Sequence, residues 1–272
     1  MKDATTLHWD SASRTHVGTV RKLNEDAVLE RAEGGIWVVA DGMGGHAAGD
    51  LASASVVDAL AAIQRPVSLG SLVGEVRQRL QDVNRALSEE ARQRGQEVIG
   101  TTVVVLMLFD GHGVALWAGD SRAYRYREGQ LTLLTRDHSQ VEELVSRGLL
   151  SREQAEHHPG SNIITRAIGV SDHVELDSQM FELAPGDSYL LCSDGLYREL
   201  GEGEIGVCLA LDDARLACEA LIERALVGGA RDNVSVVVVR LLDAEQVTRT
   251  RHNPAIQHAS GPSFKPDDPT LC

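Results

Sequence analysis

Thr101-Thr102-Val103-Val104-Val105-Leu106-Met107-Leu108-Phe109, then Asp110-Gly111-His112-Gly113, then Val114-Ala115-Leu116-Trp117-Ala118 is the stretch that decides how this chain folds. Two apolar, largely β-branched runs of strand length flank a turn rich in Asp and Gly, which predicts an antiparallel hairpin. His112 falls in the predicted turn and is expected to be exposed. Downstream, Ala123 to Arg127 alternates, Glu128-Gly129 turns and Leu131 to Leu134 returns, so the middle of the chain reads as a meander. The second strand runs into Gly119-Asp120-Ser121. A carboxylate is thereby delivered to a strand end.

The same device recurs outward from the meander. Ile36 to Ala40 is a short apolar run stopped by Asp41-Gly42-Met43-Gly44-Gly45-His46, where three glycines leave room for backbone to approach a small ligand. Taken alone, that segment reads equally well as a glycine-rich turn with a solvated Asp. Ser193-Asp194-Gly195 follows the strand predicted at Asp187 to Cys192, and Arg231-Asp232-Asn233 precedes the one at Val234 to Leu242. Four such carboxylates point to a site. Between these strands the apolar spacing predicts helices at Ala47 to Gln64, 71 to 94, Glu202 to Leu211 and Asp213 to Val227, the last capped by Gly228-Gly229. Residues 7 to 30 read as a charged loop entering a strand near Ala27, and Arg21, Glu25 and Asp26 read on their own as a solvated face.

Residues 138 to 178 contain two short helical stretches, Gln140 to Arg147 and Arg152 to His157, then Pro159-Gly160 and a polar segment. An irregular insertion of that length between strand pairs is expected to be a functional flap. One catalytic domain over residues 1–242 is expected, and the proline-rich polar stretch 243–272 is expected to be a mostly disordered tail. With 40 acidic against 26 basic residues the net charge is -14, which argues against nucleic acid and offers no polybasic stripe for a membrane. No apolar run reaches the length of about 18 residues needed to span a bilayer, and the protein is expected in the cytoplasm. Cys192, Cys208, Cys218 and Cys272 lack C-x-x-C spacing, so the first three are expected reduced and buried.

Oxygen ligands without Cys or His select hard cations, Mg2+ or Mn2+ before Zn2+. Two such ions about 3.5–4 Å apart can hold a hydroxide for in-line attack at phosphorus, so no side-chain nucleophile is required. None is announced: there is no G-x-S-x-G elbow, no C-x-x-x-x-x-R loop, no P-loop and no G-x-G-x-x-G.

Arg21-x-x-x-Glu25-Asp26, Asp41-Gly42-Met43-Gly44-Gly45-His46, Gly100-Thr101-Thr102, Gly119-Asp120-Ser121-Arg122, Asp137-His138-Ser139, Ser193-Asp194-Gly195-Leu196 and Asp232-Asn233 stand in this order. In that order the set resembles the metal-dependent type 2C Ser/Thr protein phosphatases, in their bacterial branch, over about residues 10 to 242. The resemblance implies an α+β fold, an α/β/β/α sandwich of two antiparallel sheets flanked by helices. It implies hydrolysis of phosphoserine and phosphothreonine on proteins, opposing a cognate Ser/Thr kinase, by a chain expected to act as a monomer with two to three Mn2+ or Mg2+ ions. Asp41 would bridge the first two ions, with Asp194, Asp232 and the Gly42 carbonyl completing their shells. Glu25 and Asp26 would hold the ions' waters, Arg21 would take the phosphate as a planar fork, and Asp120 with Asp194 would bind a third ion. Asn233 and, in the flap, Arg166 are further candidates. Met43 departs from the His that many eukaryotic members carry there, and His46 reads either as a proton donor or as a helix-start residue packing on the loop.

Overall fold

The predicted hairpin forms, and its turn is tighter than the sequence suggested. β5 (Val103–Phe109) and β6 (His112–Ala118) pair antiparallel through a turn of only Asp110 and Gly111, both with positive φ, so exposed His112 opens β6 and is not part of the turn. β7 (Arg122–Arg127) and β8 (Gln130–Leu133) are joined the same way by Glu128-Gly129. The computed structural model describes residues 8–44, 48–64, 67–95, 98–156 and 158–242.

The remaining strands are β1 (His8–His16), β2 (Asp26–Arg31), β3 (Ile36–Gly44), β4 (Ile99–Thr101), β9 (Asp177–Glu182), β10 (Ser188–Cys192) and β11 (Val234–Leu242). They build two antiparallel sheets, one of five strands in the order β1-β11-β10-β7-β8 and one of six in the order β2-β3-β5-β6-β9, with β4 on the end of β3. Helices α1 (Gly49–Ala61) and α2 (Leu69–Arg94) lie on the outer face of the six-stranded sheet. The outer face of the five-stranded sheet is covered by α5 (Asp194–Tyr197), α6 (Glu202–Leu209) and α7 (Ala214–Gly228).

Alternate residues of each central strand serve different cores. Trp37 and Val39 of β3 meet Val237, Val239 and Leu241 of β11 between the sheets, whereas Ile36, Val38 and Ala40 lie beneath α1 and α2, and Val234, Val236 and Val238 beneath α7. Both faces are apolar, which is why these strands read as unbroken hydrophobic runs. Four layers, helix, sheet, sheet and helix, are the sandwich expected.

Two expectations need correction. The charged loop expected before residue 27 contains a full strand, β1, paired with β11 from His8↔Leu242 to His16↔Val234. The flap was expected to reach 178, but Asp177 and Ser178 already belong to β9, which pairs with β6. Both missed strands are sheet edges, where pairing on one side asks for little apolar surface. Within the insertion, α3 (Gln140–Ser146) and α4 (Arg152–Glu156) form as short helices, and the later part is anchored. Buried Asn84 of α2 accepts from the Gly169 amide at 2.7 Å and donates to the Ser171 carbonyl at 2.7 Å. Cys192, Cys208 and Cys218 are free and buried. Among the described residues no helix is long and apolar enough to cross a membrane. Cys272, His46 and the segment 243–272 lie outside the described residues.

Candidate metal centre

Strand register gathers the first carboxylates. Asp26 of β2 sits directly opposite Asp41 of β3, a like-charged cross-strand pair that is unfavourable by itself. Hydrogen bonds hold it in place. The Asp41 amide donates to Thr102 Oγ1 at 3.1 Å, its carbonyl accepts from the Thr102 amide at 2.9 Å and from Thr101 Oγ1 at 2.9 Å, and Thr102 Oγ1 meets Ser121 Oγ at 2.7 Å. The Gly100-Thr101-Thr102 motif therefore ties the loop of Asp41 to that of Asp120. At Gly42 a side chain has no room: a Cβ there would lie 2.1 Å from the Gly49 carbonyl oxygen and 2.6 Å from that of Glu25.

The second sheet supplies the partners. Asp194 opens α5 just after β10, and Ser193 reaches across, donating to Asp26 Oδ2 at 2.8 Å while accepting from the Ser235 amide at 3.0 Å. Asp232 precedes β11 and binds Arg21 Nη2 at 2.8 Å. That is the one side-chain hydrogen bond Arg21 makes among the described residues, and its side chain is 54% exposed, so a guanidinium with free donors stands at the edge of the acidic group. Asn233 does not join the carboxylates. It staples the preceding loop, its Nδ2 donating to the carbonyls of Val17 and Leu23 at 2.9 Å each and its Oδ1 accepting from the Glu25 amide at 2.8 Å. The Glu25 carboxylate lies against Gly49 in the first turn of α1.

The electrostatics of this arrangement ask for a cation. Burial, and then the neighbouring aspartates, push Asp26 from an ordinary 3.8 to about 7 and Asp120 likewise to about 7. Asp41 is pushed well above its usual range by removal from water and by Asp26, Asp194, Asp120 and Asp232, so its carboxyl feels all four others. Asp194 is raised by burial although Arg198 opposes the rise. Asp26 Oδ1, Asp120 Oδ1 and Asp194 Oδ1 are buried with no hydrogen-bond partner, each an arrangement costing about 1–3 kcal/mol or more unless a ligand answers it. An all-oxygen donor set with unanswered oxygens fits Mn2+ or Mg2+. Among the described residues no three such side chains are already drawn into a closed cage. Arg21 holds Asp232 and Arg198 holds Asp194.

Asp26 offers a test by pH. With a folded value near 7 against an ordinary 3.8, its carboxyl penalises folding once ionised, so in chelator the wild type should lose stability as pH rises from about 4 through 7. Asp26→Asn cannot ionise. Its advantage over wild type should vanish near pH 4 and reach roughly 2 kcal/mol at pH 8, about half the ionisation penalty, because the amide must still leave water. Urea unfolding at the two pH values measures this. An equal offset at both would show that Asp26 does not titrate in that range.

Arg198 is the member that the sequence reading missed. Its Nη2 lies 2.9 Å from Asp194 Oδ2 and 3.7 Å from Asp120 Oδ2. The signal was there, since Arg four residues after Asp is the spacing of a helical ion pair. Arg166 is engaged by Asp177 at 3.1 Å and Glu175 at 3.7 Å, within the insertion and its exit strand. Met43 is half-buried with its methyl group near Gly100, and it carries no titratable proton.

A family model described as Protein phosphatase 2C matches residues 14–230. The Mycobacterium tuberculosis serine/threonine protein phosphatase PstP is 38% identical over 234 residues, which cover 85% of this chain but 45% of PstP, so this chain spans about half the length of that relative. Among solved structures, PppA, described as a key regulatory component of T6SS in Pseudomonas aeruginosa, superposes with a TM-score of 0.82 at 45% identity over 86% of this chain and 98% of that one. The catalytic domain of PstP in complex with two manganese ions superposes with a TM-score of 0.80 at 36% identity over 88% of this chain and 100% of that one. With the matched span taking in the whole six-stranded sheet and β7, β8 and β10 of the other, about four-fifths of the sequence, the chain belongs to the protein phosphatase 2C family.

Proposed function

We propose that this chain hydrolyses phosphoserine and phosphothreonine on protein substrates, opposing a cognate Ser/Thr kinase and acting as a monomer in the cytoplasm. The observation that carries the reading is the set of buried, unpartnered carboxylate oxygens from both sheets beside the half-exposed guanidinium of Arg21. Asp41, Asp194, Asp232 and the Gly42 carbonyl would hold two Mn2+ or Mg2+ ions, with Glu25 and Asp26 hydrogen-bonding the water around them. Bound there, the ions would supply Lewis-acid activation of water and neutralise charge on the phosphoryl group. The PstP catalytic domain with two manganese ions supports this assignment.

The chain's own residues do the rest. Arg21, held at one nitrogen by Asp232, offers its other donors to the phosphoryl oxygens and fixes the angle of approach. Ser193 and Asn233 set where Asp26 and the Glu25 loop stand. The insertion 138–176, bridged to β4 through Thr101 and Ile168, is proposed as a flap controlling substrate access, with Arg166 the cation it would bring.

Phosphate release from phosphoserine, phosphothreonine and phosphotyrosine peptides and from a nucleotide, each with Mn2+, Mg2+ or chelator, tests the proposal. Turnover of the first two with metal and none in chelator is expected. Because the 45%-identical PppA is a T6SS regulator, phosphoproteins of such a secretion apparatus are the first protein substrates to try. Full turnover in verified metal-free solution, or preference for the nucleotide, would overturn it.

A further inference from the structure

The corner between Asp120 and Asp194 already contains a cation. Both carboxylates are almost wholly buried, at 3% and 9% exposure, and the Arg198 guanidinium reaches Asp194 Oδ2 at 2.9 Å and Asp120 Oδ2 at 3.7 Å. A single helical turn sets this geometry. Asp194, Tyr197 and Arg198 follow one another on α5 and its C-cap, and the Tyr197 hydroxyl donates to the Asp120 carbonyl at 3.0 Å, locking that turn against the end of β6. Beneath it the Arg122 guanidinium lies 3.6 Å from the centre of the Tyr197 ring and is gripped by both oxygens of Asp137. Arg198 is thus delivered to its place by a braced element.

The two oxygens of Asp194 are divided. Oδ2 is taken by Arg198, and Oδ1 is buried and unpartnered, free for an ion shared with Asp41 and Asp232. A guanidinium and a divalent ion cannot occupy the same space between Asp120 and Asp194. Arg198 already balances the pair through a charge-assisted bond to Asp194 at 2.9 Å, so an ion entering the corner would have to displace it.

We propose that Arg198 is the resident cation of the Asp120–Asp194 corner and excludes a third divalent ion from it, so that this chain works with two. The inference rests on the two-ion reading above and narrows the expectation of two to three ions. One side chain would set the metal count of the site.

Equilibrium dialysis against Mn2+, with metal counted by mass spectrometry, decides the matter on wild type, Arg198→Ala, Arg198→Lys and the double variant Arg198→Ala/Asp120→Asn. Circular dichroism checks that each folds, and Arg198→Gln replaces the alanine variant if that one does not. Wild type and Arg198→Lys should bind two ions. Arg198→Ala should bind a third at least tenfold more tightly than wild type does, and the double variant should lose it. A third ion held equally by wild type and Arg198→Ala, or two ions in both, overturns the role of Arg198. Fewer than two ions in wild type overturns the two-ion reading itself, and the proposal with it.

Discussion

Asp41→Asn should lower kcat/KM on a phosphothreonine peptide at least about a thousandfold and, in chelator, raise the midpoint of thermal unfolding. The two effects come from one charge. Asp41 is the carboxyl that feels Asp26, Asp120, Asp194 and Asp232 together, so it would be central to any two cations held there, and removing it would forfeit roughly 4 kcal/mol of transition-state stabilisation. In the metal-free protein the same carboxyl is held out of water among like charges, and a neutral amide of the same shape relieves that repulsion. A site arranged for catalysis at the expense of stability shows this opposite movement. Steady-state kinetics with Mn2+ and differential scanning calorimetry in EDTA provide the two numbers. A variant both inactive and less stable in EDTA would mean that Asp41 is a structural residue.

Asn233→Ala should cost about 3–4 kcal/mol of stability and lower kcat/KM about tenfold or more, although the Asn233 side chain hydrogen-bonds none of the carboxylates. Three hydrogen bonds of 2.8–2.9 Å disappear at once, and the Val17 and Leu23 carbonyls and the Glu25 amide lose their partner. At about 1 kcal/mol each, with a further penalty for groups left unpaired near a residue only 6% exposed, the sum reaches that range. The loop thus released carries Arg21 and Glu25, whose displacement by even 1 Å is costly in rate. Asn233→Asp keeps the acceptor for Glu25 but neither donor, so it should retain about a third of the stabilisation. Chemical denaturation of the three proteins checks the order. Equal stability of wild type and Asn233→Ala would show that the loop is held by other means.

What was legible in the sequence followed burial. β5, β10 and β11 are buried on both faces, so Val103 to Phe109 and Val234 to Leu242 stand out as apolar runs, and the aspartates that follow or precede such runs stand out with them. The edges did not stand out. In β9 only Phe181 is even half-buried, and in β1 no residue is fully buried, so neither run shows the period of a strand. Unbroken apolar runs also conceal which residue faces which core, and the pairing of Trp37 with the inner layer and Val38 with α1 and α2 had to come from the sheets themselves. At the site, Asp41, Asp120, Asp194 and Asp232 were readable as residue types at strand ends, whereas Asp26 read on its own as part of a solvated loop and joined them only through the family resemblance. Arg198 was readable only as the spacing of a helical ion pair with Asp194; its reach to Asp120 depends on where one turn of helix points it.

The pairing of β1 with β11 places the earliest described strand beside the last, from His8↔Leu242 to His16↔Val234. Contacts so distant along the chain form slowly, since a large loop must close before they contribute. During synthesis, the β1 edge and the loop of Arg21 and Glu25 have no Asn233 and no β11 to settle on until the chain as far as Leu242 has left the ribosome. Most of the hydrophobic layers can therefore gather early in the nascent chain, while the acidic centre is completed only by the closing strand.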